Sequence, residues 1–364
     1  MSANLIPARV PPPGRIIRRE LEARGWTQKD LADIMGRPEQ TISQIVTARK
    51  QITSDTALQL AAAFGTSPDL WLGLEADYRL HLARKASNHS EVKRKSRLYS
   101  RVPLTEIIRR GWIRKLDTLE ELEQEVCSFL EVSSLEEQPA MAVSLRRSEV
   151  YEAELAAQVA WIKRVEHPAR AQVVGNFDRA RLEAALPELL TLAAAVEGLQ
   201  QIPDFLQTLG VHFLIVPHLP NTYLDGAAFR LDDHPVLALT LRYDRIDNFW
   251  FTLMHELAHI IAGHEGLYLD NLDKPAESPE EAEANQMAQD WLIDAAALEQ
   301  FVAATAPYFS HQKIKAFAAT QHRHPGIIVG QLHHDQVIEY SHSRRFLVKV
   351  SPYLGAWIDV PAPV

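Results

Sequence analysis

Residues 249–264 read FWFTLMHELAHIIAGH. Phe251, Met254, Leu257, Ala258, Ile260, Ile261 and Ala262 put apolar side chains around most of a helical circumference, so the spacing predicts a buried helix over about 245–262. His255 and His259 then lie one turn apart on one face, with Glu256 beside them. Burying two imidazoles and a carboxylate without partners is costly, and a metal ion offsets that cost. The spacing is an H-E-x-x-H, which sets two imidazole nitrogens on one ion. The longer HExxHxxGxxH pattern fails, because Ala262 and Glu265 stand where it needs Gly and His. His264 is left to line the cleft or cap the helix.

A catalytic zinc site needs a third protein ligand and one open position. The segment SPEEAEANQMAQDWLI (278–293) offers it. Ser278 reads as an N-cap, Pro279 as the first helical residue and Glu281 as the third residue of a capping box, so a second helix is predicted over about 279–294. Glu280 and Glu281 sit in the first turn, where the helix dipole accounts for them. Glu283 lies one turn before Met287, at the border of the apolar face. The expected third ligand is therefore Glu283, with Glu280 as the fallback. The ion is expected to be zinc, or another divalent metal such as Mn2+.

Together the two segments resemble the ImmA/IrrE family of metallopeptidase-like proteins, whose pattern is FT-x-x-HE-x-x-H followed by an E-x-E-A-N-x-x-A helix. The resemblance extends upstream through LDGAAFRLDDHPVLALTLRYDRIDNF and covers roughly 205–295. It implies a zincin-like α+β metallopeptidase domain in which His255, His259 and Glu283 hold zinc and Glu256 is the general base. Ala258 replaces the Gly usual before the second His. The family implies cleavage of a repressor or antitoxin in a stress, mobile-element or defence response. Tyr223, His264 and His234 are candidate oxyanion helpers, and the strand near 236–241 is a candidate for pairing with an extended substrate.

Ahead of this domain, residues 15–82 have helical apolar spacing. Ile16, Ile17, Leu21, Leu31, Ile34, Ile42, Ile45, Val46, Leu58, Leu60, Ala61 and Phe64 form the expected core, after an irregular arm ending at PPPG (11–14). A helix over 28–35 stops at Gly36 and another starts near 38–39, which is helix-turn-helix spacing. Gln28, Glu39, Gln40, Thr41, Ser43 and Gln44 are candidates for reading base edges, and Arg49 and Lys50 for holding phosphates. The run from Gly14 through TQKDLA, ITSDTALQLA and GTSPDLWLGLE to Leu80 resembles the Cro/C1-type helix-turn-helix family, in its HigA-type antitoxin branch. That implies a homodimer on a double-stranded DNA operator.

The charge distribution agrees. The 364-residue chain has a net charge of −9, but residues 1–115 carry 21 Lys+Arg against 11 Asp+Glu, a net of +10, and the remainder carries −19. A basic front fits a polyanion partner. One cysteine, Cys127, excludes a disulfide scaffold and a multi-cysteine zinc site, and its apolar neighbours mark it as a packing residue. No apolar run approaches the ~20 residues a bilayer needs, and the N-terminal residues lack a signal peptide's apolar stretch, so a cytoplasmic protein without a membrane partner is expected.

The expected fold class is multidomain α+β: an N-terminal all-α helix-turn-helix domain (1–82), a basic linker and helical middle segment (83–200), the metallopeptidase domain (201–340) and a tail (341–364). Short β-rich runs are expected at 211–217, 227–231 and 235–242, with β-like pieces at QVIEY (336–340) and RFLVKV (345–350). Two functions follow: a DNA-binding regulator with a zinc endopeptidase domain, or a HigA-like antitoxin and regulator whose peptidase-like half senses or binds a partner without proteolysis.

Overall fold

The computed structural model describes residues 10–86, 89–137, 139, 152–264, 266–272, 276 and 278–359. The expected arm over residues 1–9 lies outside them. The chain divides into two units, Met1–Arg94 and Lys95–Val364.

The first unit holds α1 (Pro13–Arg24), α2 (Gln28–Met35), α3 (Glu39–Val46), α4 (Ser54–Phe64) and α5 (Pro68–Ala86). Thr27 and Asp30 form a reciprocal capping box that starts α2, and Gly36 ends it at φ 63°, the left-handed conformation the short turn into α3 requires. A Cβ on Gly14 would lie 2.0 Å from the Val46 carbonyl oxygen, so α1 seats its first turn directly on the end of α3. Ile17, Leu21, Leu31, Ile42, Ile45, Leu60, Phe64 and Trp71 fill the core. Ile34 and Leu58, expected inside, are 50% and 58% exposed. Both stand on the outward side of their helices, next to residues that carry the periodicity better.

Helix α6 (His89–Arg101) spans the division, and in the second unit α7 (Leu104–Arg109), α8 (Leu119–Leu130) and α9 (Glu152–Ala171) precede α10 (Arg179–Thr191) and α11 (Ile202–Thr208). Then come β1 (His212–Ile215), β2 (Gly226–Leu231), β3 (His234–Leu239), α12 (Ile246–Ala262), β4 (Tyr268–Asp270) and α13 (Pro279–Leu292). The chain continues with α14 (Ala295–Thr305), α15 (His311–Thr320), α16 (Pro325–His334) and α17 (Ser351–Leu354).

The sheet order is β1-β3-β2-β4. β1 runs parallel to β3, while β2 is antiparallel to both β3 and β4. Successive side chains point to opposite faces. Leu214, Val216, Ala227, Phe229, Val236 and Ala238 pack with residues of α6 to α9, including Val126, Phe129, Trp161 and Val165. Phe213, Ile215, Leu237 and Leu239 pack on the other side with α10 to α13 and α16.

This corrects the expected divisions at 200 and 340. The middle segment from residue 95 is not a unit of its own. It forms the layer behind the sheet, and Trp161 donates its indole N–H to the Val216 carbonyl at 2.9 Å in a buried hydrogen bond. The tail is part of the same unit: Val350 and Leu354 are fully buried, and Arg164 pairs with Asp359. The β-like pieces at 336–340 and 345–350 are turns and a short 3-10 helix, Arg344–Phe346. Val337, Ile338, Leu347 and Val348 are apolar because they pack onto the core as irregular chain.

Several titratable groups report this packing. Burial holds His167, His212, His324 and His333 below the ordinary imidazole value. Hydrogen bonds from Arg109, and then Arg110, hold Glu106 at about 2 against partial burial. Lys163, and then Arg170, do the same for Glu131. Burial is also the first reason that the Cys127 thiol is raised, which keeps it protonated.

A depressed group lets the unfolded chain take up protons first as pH falls, so its contribution to stability is present above the unfolded pKa and is lost below it. The urea midpoint of the metal-free chain is expected to drop in two stages. The first begins below about pH 6.5, from the histidines, and the second runs from about 4.5 towards 2, from Glu106 and Glu131. A midpoint unchanged between pH 7 and pH 5 would refute the first stage.

Candidate functional site

The site is built on α12, whose residues from Ile246 to Ala258 are nearly all buried. His255 and Glu256 are 0% exposed and His259 is 1% exposed. The two Nε2 atoms lie 3.1 Å apart. The carboxylate that meets them belongs to Glu281: its Oε2 is 3.3 Å from His255 Nε2 and 3.6 Å from His259 Nε2. Among the described residues, His255, His259 and Glu281 are the one group of His, Cys, Asp or Glu side chains close enough to share a metal ion.

The donor set fits zinc. Four ligands placed tetrahedrally at ~2.0–2.1 Å are about 3.3 Å apart, and the three observed separations bracket that value. Two neutral nitrogens and one carboxylate oxygen also form a common donor set for a zinc site that keeps an open position.

The expectation of Glu283 as third ligand is therefore corrected to Glu281. Ser278 accepts a hydrogen bond from the Glu281 backbone N–H at 3.2 Å, as the cap reading required. The capping role nevertheless leaves the Glu281 side chain available to the histidines. Buried Ala284, Ala288 and Leu292 continue the same stripe of α13 at helical spacing. Glu283, two residues on, is turned away from that stripe and meets His264 instead, with Oε2 3.3 Å from Nε2. Glu280, the fallback, is exposed at the helix start, where its own backbone N–H, and then Ser278, hold its carboxyl low. The signal for Glu281 was its place three residues ahead of Ala284 and seven ahead of Ala288.

Gly226 is a site residue the sequence reading did not single out. A Cβ there would lie 2.2 Å from Glu256 Oε1 and 2.8 Å from Thr252 Cγ2. The first residue of β2 thus leaves the space in which the Glu256 carboxylate sits. Next to it, buried Asp225 pairs with Arg242 at 3.5 Å and accepts the Leu272 N–H at 3.0 Å, tying the start of β2 to the segment after β4.

Of the candidate oxyanion helpers, His264 is at the site. Its Nδ1 lies 3.0 Å from His259 Nδ1. His234 begins β3, at the end opposite the Gly226–Leu239 pair, and contacts the Gly175 carbonyl. Tyr223 is 50% exposed and stacks with Arg242. β3 cannot accept a substrate strand, because β1 and β2 pair with both its edges. The edge strands among those described are β1, whose outer side carries a bridge from Ile215 to Ile358, and β4, where Tyr268 stacks on His259.

In the first unit, α3 buries Ile42, Ile45 and Val46 and exposes Glu39, Gln40 and Ser43, with Thr41 and Gln44 half-buried. The N–H groups of Arg49 and Lys50 both bond to the Gln44 carbonyl, at 2.8 and 3.0 Å, which folds the exposed Arg49 and Lys50 back beside α3. Gln28, at the start of α2, is half-buried. The polar candidates thus share the outward side of α3 and its flanks.

Residues 17–71 match the helix-turn-helix family, and residues 210–319 match the IrrE N-terminal-like domain family. A curated relative, an uncharacterised HTH-type transcriptional regulator YddM of Escherichia coli, is 30% identical over 84 residues, 23% of this chain and 89% of its own length. Antitoxin HigA-1 of Vibrio cholerae is 36% identical over 63 residues, 17% of this chain and 59% of that protein. Among solved structures, an addiction module antidote protein of a HigA family from Coxiella burnetii is 35% identical, covering 23% of this chain and 94% of that one, with a TM-score of 0.22. Among the described residues, no helix is long and apolar enough to cross a membrane. The chain therefore belongs to the HTH-type transcriptional regulators by its N-terminal domain and carries behind it an IrrE N-terminal-like domain of the ImmA/IrrE peptidase family.

Proposed function

We propose that the chain is a DNA-binding regulator whose second unit is a metal-dependent endopeptidase acting on a protein substrate, a repressor or antitoxin. One observation carries the enzymatic reading: His255, His259 and Glu281, from two separate helices, converge on one point, with the Glu256 carboxylate on the adjacent helical position. A bound divalent cation, zinc by preference, supplies Lewis acidity towards a water molecule and a peptide carbonyl.

The chain's own groups do the rest. Glu256 takes the proton from the attacking water and later hands it to the leaving amine. Burial of α12 keeps bulk water from Glu256 and both imidazoles. Strand β4, at the sheet edge, is placed to pair with an extended peptide. The exposed row Glu39, Gln40 and Ser43, with Thr41, Gln44 and Gln28, is assigned to the operator's major groove, and Arg49 and Lys50 to phosphates. Two copies acting on a two-fold operator fit this arrangement.

The test combines metal analysis with proteolysis. Purified chain should hold about one divalent ion, and the loaded form should cleave a helix-turn-helix repressor or antitoxin supplied as substrate, while the chelated form should not. A metal-loaded chain that leaves every such substrate intact, yet binds its operator, would favour the reading in which the second unit is a sensor or partner-binding module.

Gly226 provides a sharper check. Gly226→Ala is expected to retain the metal, because none of the three ligands is touched. It should slow cleavage by about a hundredfold, the scale associated with a displacement of about 1 Å in a catalytic group. Parental turnover by this variant would show that Glu256 does not need that space.

A further inference from the structure

His259 is held on three sides. Its Nε2 faces His255 and Glu281. Its ring stacks on Tyr268, with centroids 4.1 Å apart and planes 23° from parallel. Its other nitrogen, Nδ1, lies 3.0 Å from Nδ1 of His264, and His264 Nε2 lies 3.3 Å from Glu283 Oε2.

The direction of the protons follows from the end of this chain of contacts. An ionised carboxylate only accepts hydrogen bonds, so His264 donates from Nε2 to Glu283. A neutral His264 then presents Nδ1 as an acceptor, and His259 donates to it from its own Nδ1. The His259 lone pair is thereby left on Nε2, the atom beside His255 and Glu281.

We infer that His264 and Glu283 are positioning residues for the divalent cation, a two-step hydrogen-bond relay that fixes the tautomer and ring orientation of His259. Neither is a ligand. The inference rests on the metal reading of the site proposed above.

Local structure explains how the relay is assembled. α12 ends at Gly263 in the left-handed conformation, φ 75°, and the His264 N–H turns back to the His259 carbonyl at 3.1 Å. That turn brings the His264 ring against the His259 ring. On α13, two residues are about 200° apart around the axis, so Glu281 and Glu283 cannot both enter the buried pocket. Glu281 takes it, and Glu283, 59% exposed at its side chain, closes the relay from outside. Outer partners of this kind orient a metal-bound histidine and raise its basicity.

Zinc affinity of the full chain, measured by competition with a chromophoric chelator, tests this apart from any turnover. His264→Ala is expected to weaken zinc binding about tenfold. Glu283→Gln keeps an acceptor at an exposed position, so a loss of only a few-fold is expected. His264→Gln, with one acceptor and one donor in reach, should recover most of the loss. In the zinc-loaded parent, the His259 Nδ1 proton should give a slowly exchanging resonance that disappears in His264→Ala. Should His264→Ala unfold early, Glu283→Gln with the same resonance carries the test. Parental affinity in both variants, or an unaltered resonance, overturns the relay while the metal site stands. A parental chain that binds no zinc overturns both.

Discussion

Glu281→Ala is expected to lower zinc affinity by at least about a hundredfold, whereas Glu283→Ala should cost about tenfold or less. Removing a ligand takes away one of three bonds and leaves two imidazoles that no longer define a closed site. Removing an outer partner disturbs only the orientation of a ligand that remains. The positions are two residues apart, both glutamates and on one helix, so residue type alone predicts equal effects. Geometry predicts unequal ones, because Glu281 Oε2 reaches both Nε2 atoms while the Glu283 contact is with His264. Chelator competition on the two variants decides the matter, and equal losses would refute Glu281 as the third ligand.

Glu256→Gln is expected to retain zinc and to lose cleavage by about 10²- to 10⁴-fold, the range supplied by a positioned general base. The amide is nearly isosteric, so the space opened by Gly226 accommodates it, but it cannot accept the proton. Metal analysis and time-resolved cleavage of a repressor substrate are the two measurements. Proteolysis at the parental rate would remove Glu256 from the chemistry. Together with Glu281→Ala, this variant separates the group that moves a proton from the groups that hold the ion.

Much of the site was legible in FWFTLMHELAHIIAGH alone, because two histidines and a glutamate inside an apolar helix leave few inexpensive alternatives. Strands β1, β2 and β3 were legible from short β-rich runs, and α2, α3 and the turn at Gly36 from apolar periodicity. Glu281 was not, because two forces favour an acid at the third helical position. Capping and dipole are enough to explain an acid there, and they mask the one mark it carries, its helical spacing to Ala284 and Ala288. Val337, Ile338, Leu347 and Val348 misled for a related reason: a short apolar run looks the same whether it pairs in a sheet or lies on a core as irregular chain. The helices from 104 to 171 were recognisable as helices, whereas α6 was read as a basic linker; periodicity says only that an apolar face needs a cover, not which surface supplies it.

The IrrE N-terminal-like domain cannot be cut out at the boundaries its family match suggests. A fragment of residues 210–319 would lack Trp161 and the helices around it, and would present Leu214, Val216, Ala227, Phe229, Val236 and Ala238 to water as one greasy plate. Such a fragment should precipitate on expression, whereas one beginning near residue 95 keeps both sides of its sheet clothed. Any transplant of this domain behind another helix-turn-helix unit has to carry its helical backing along.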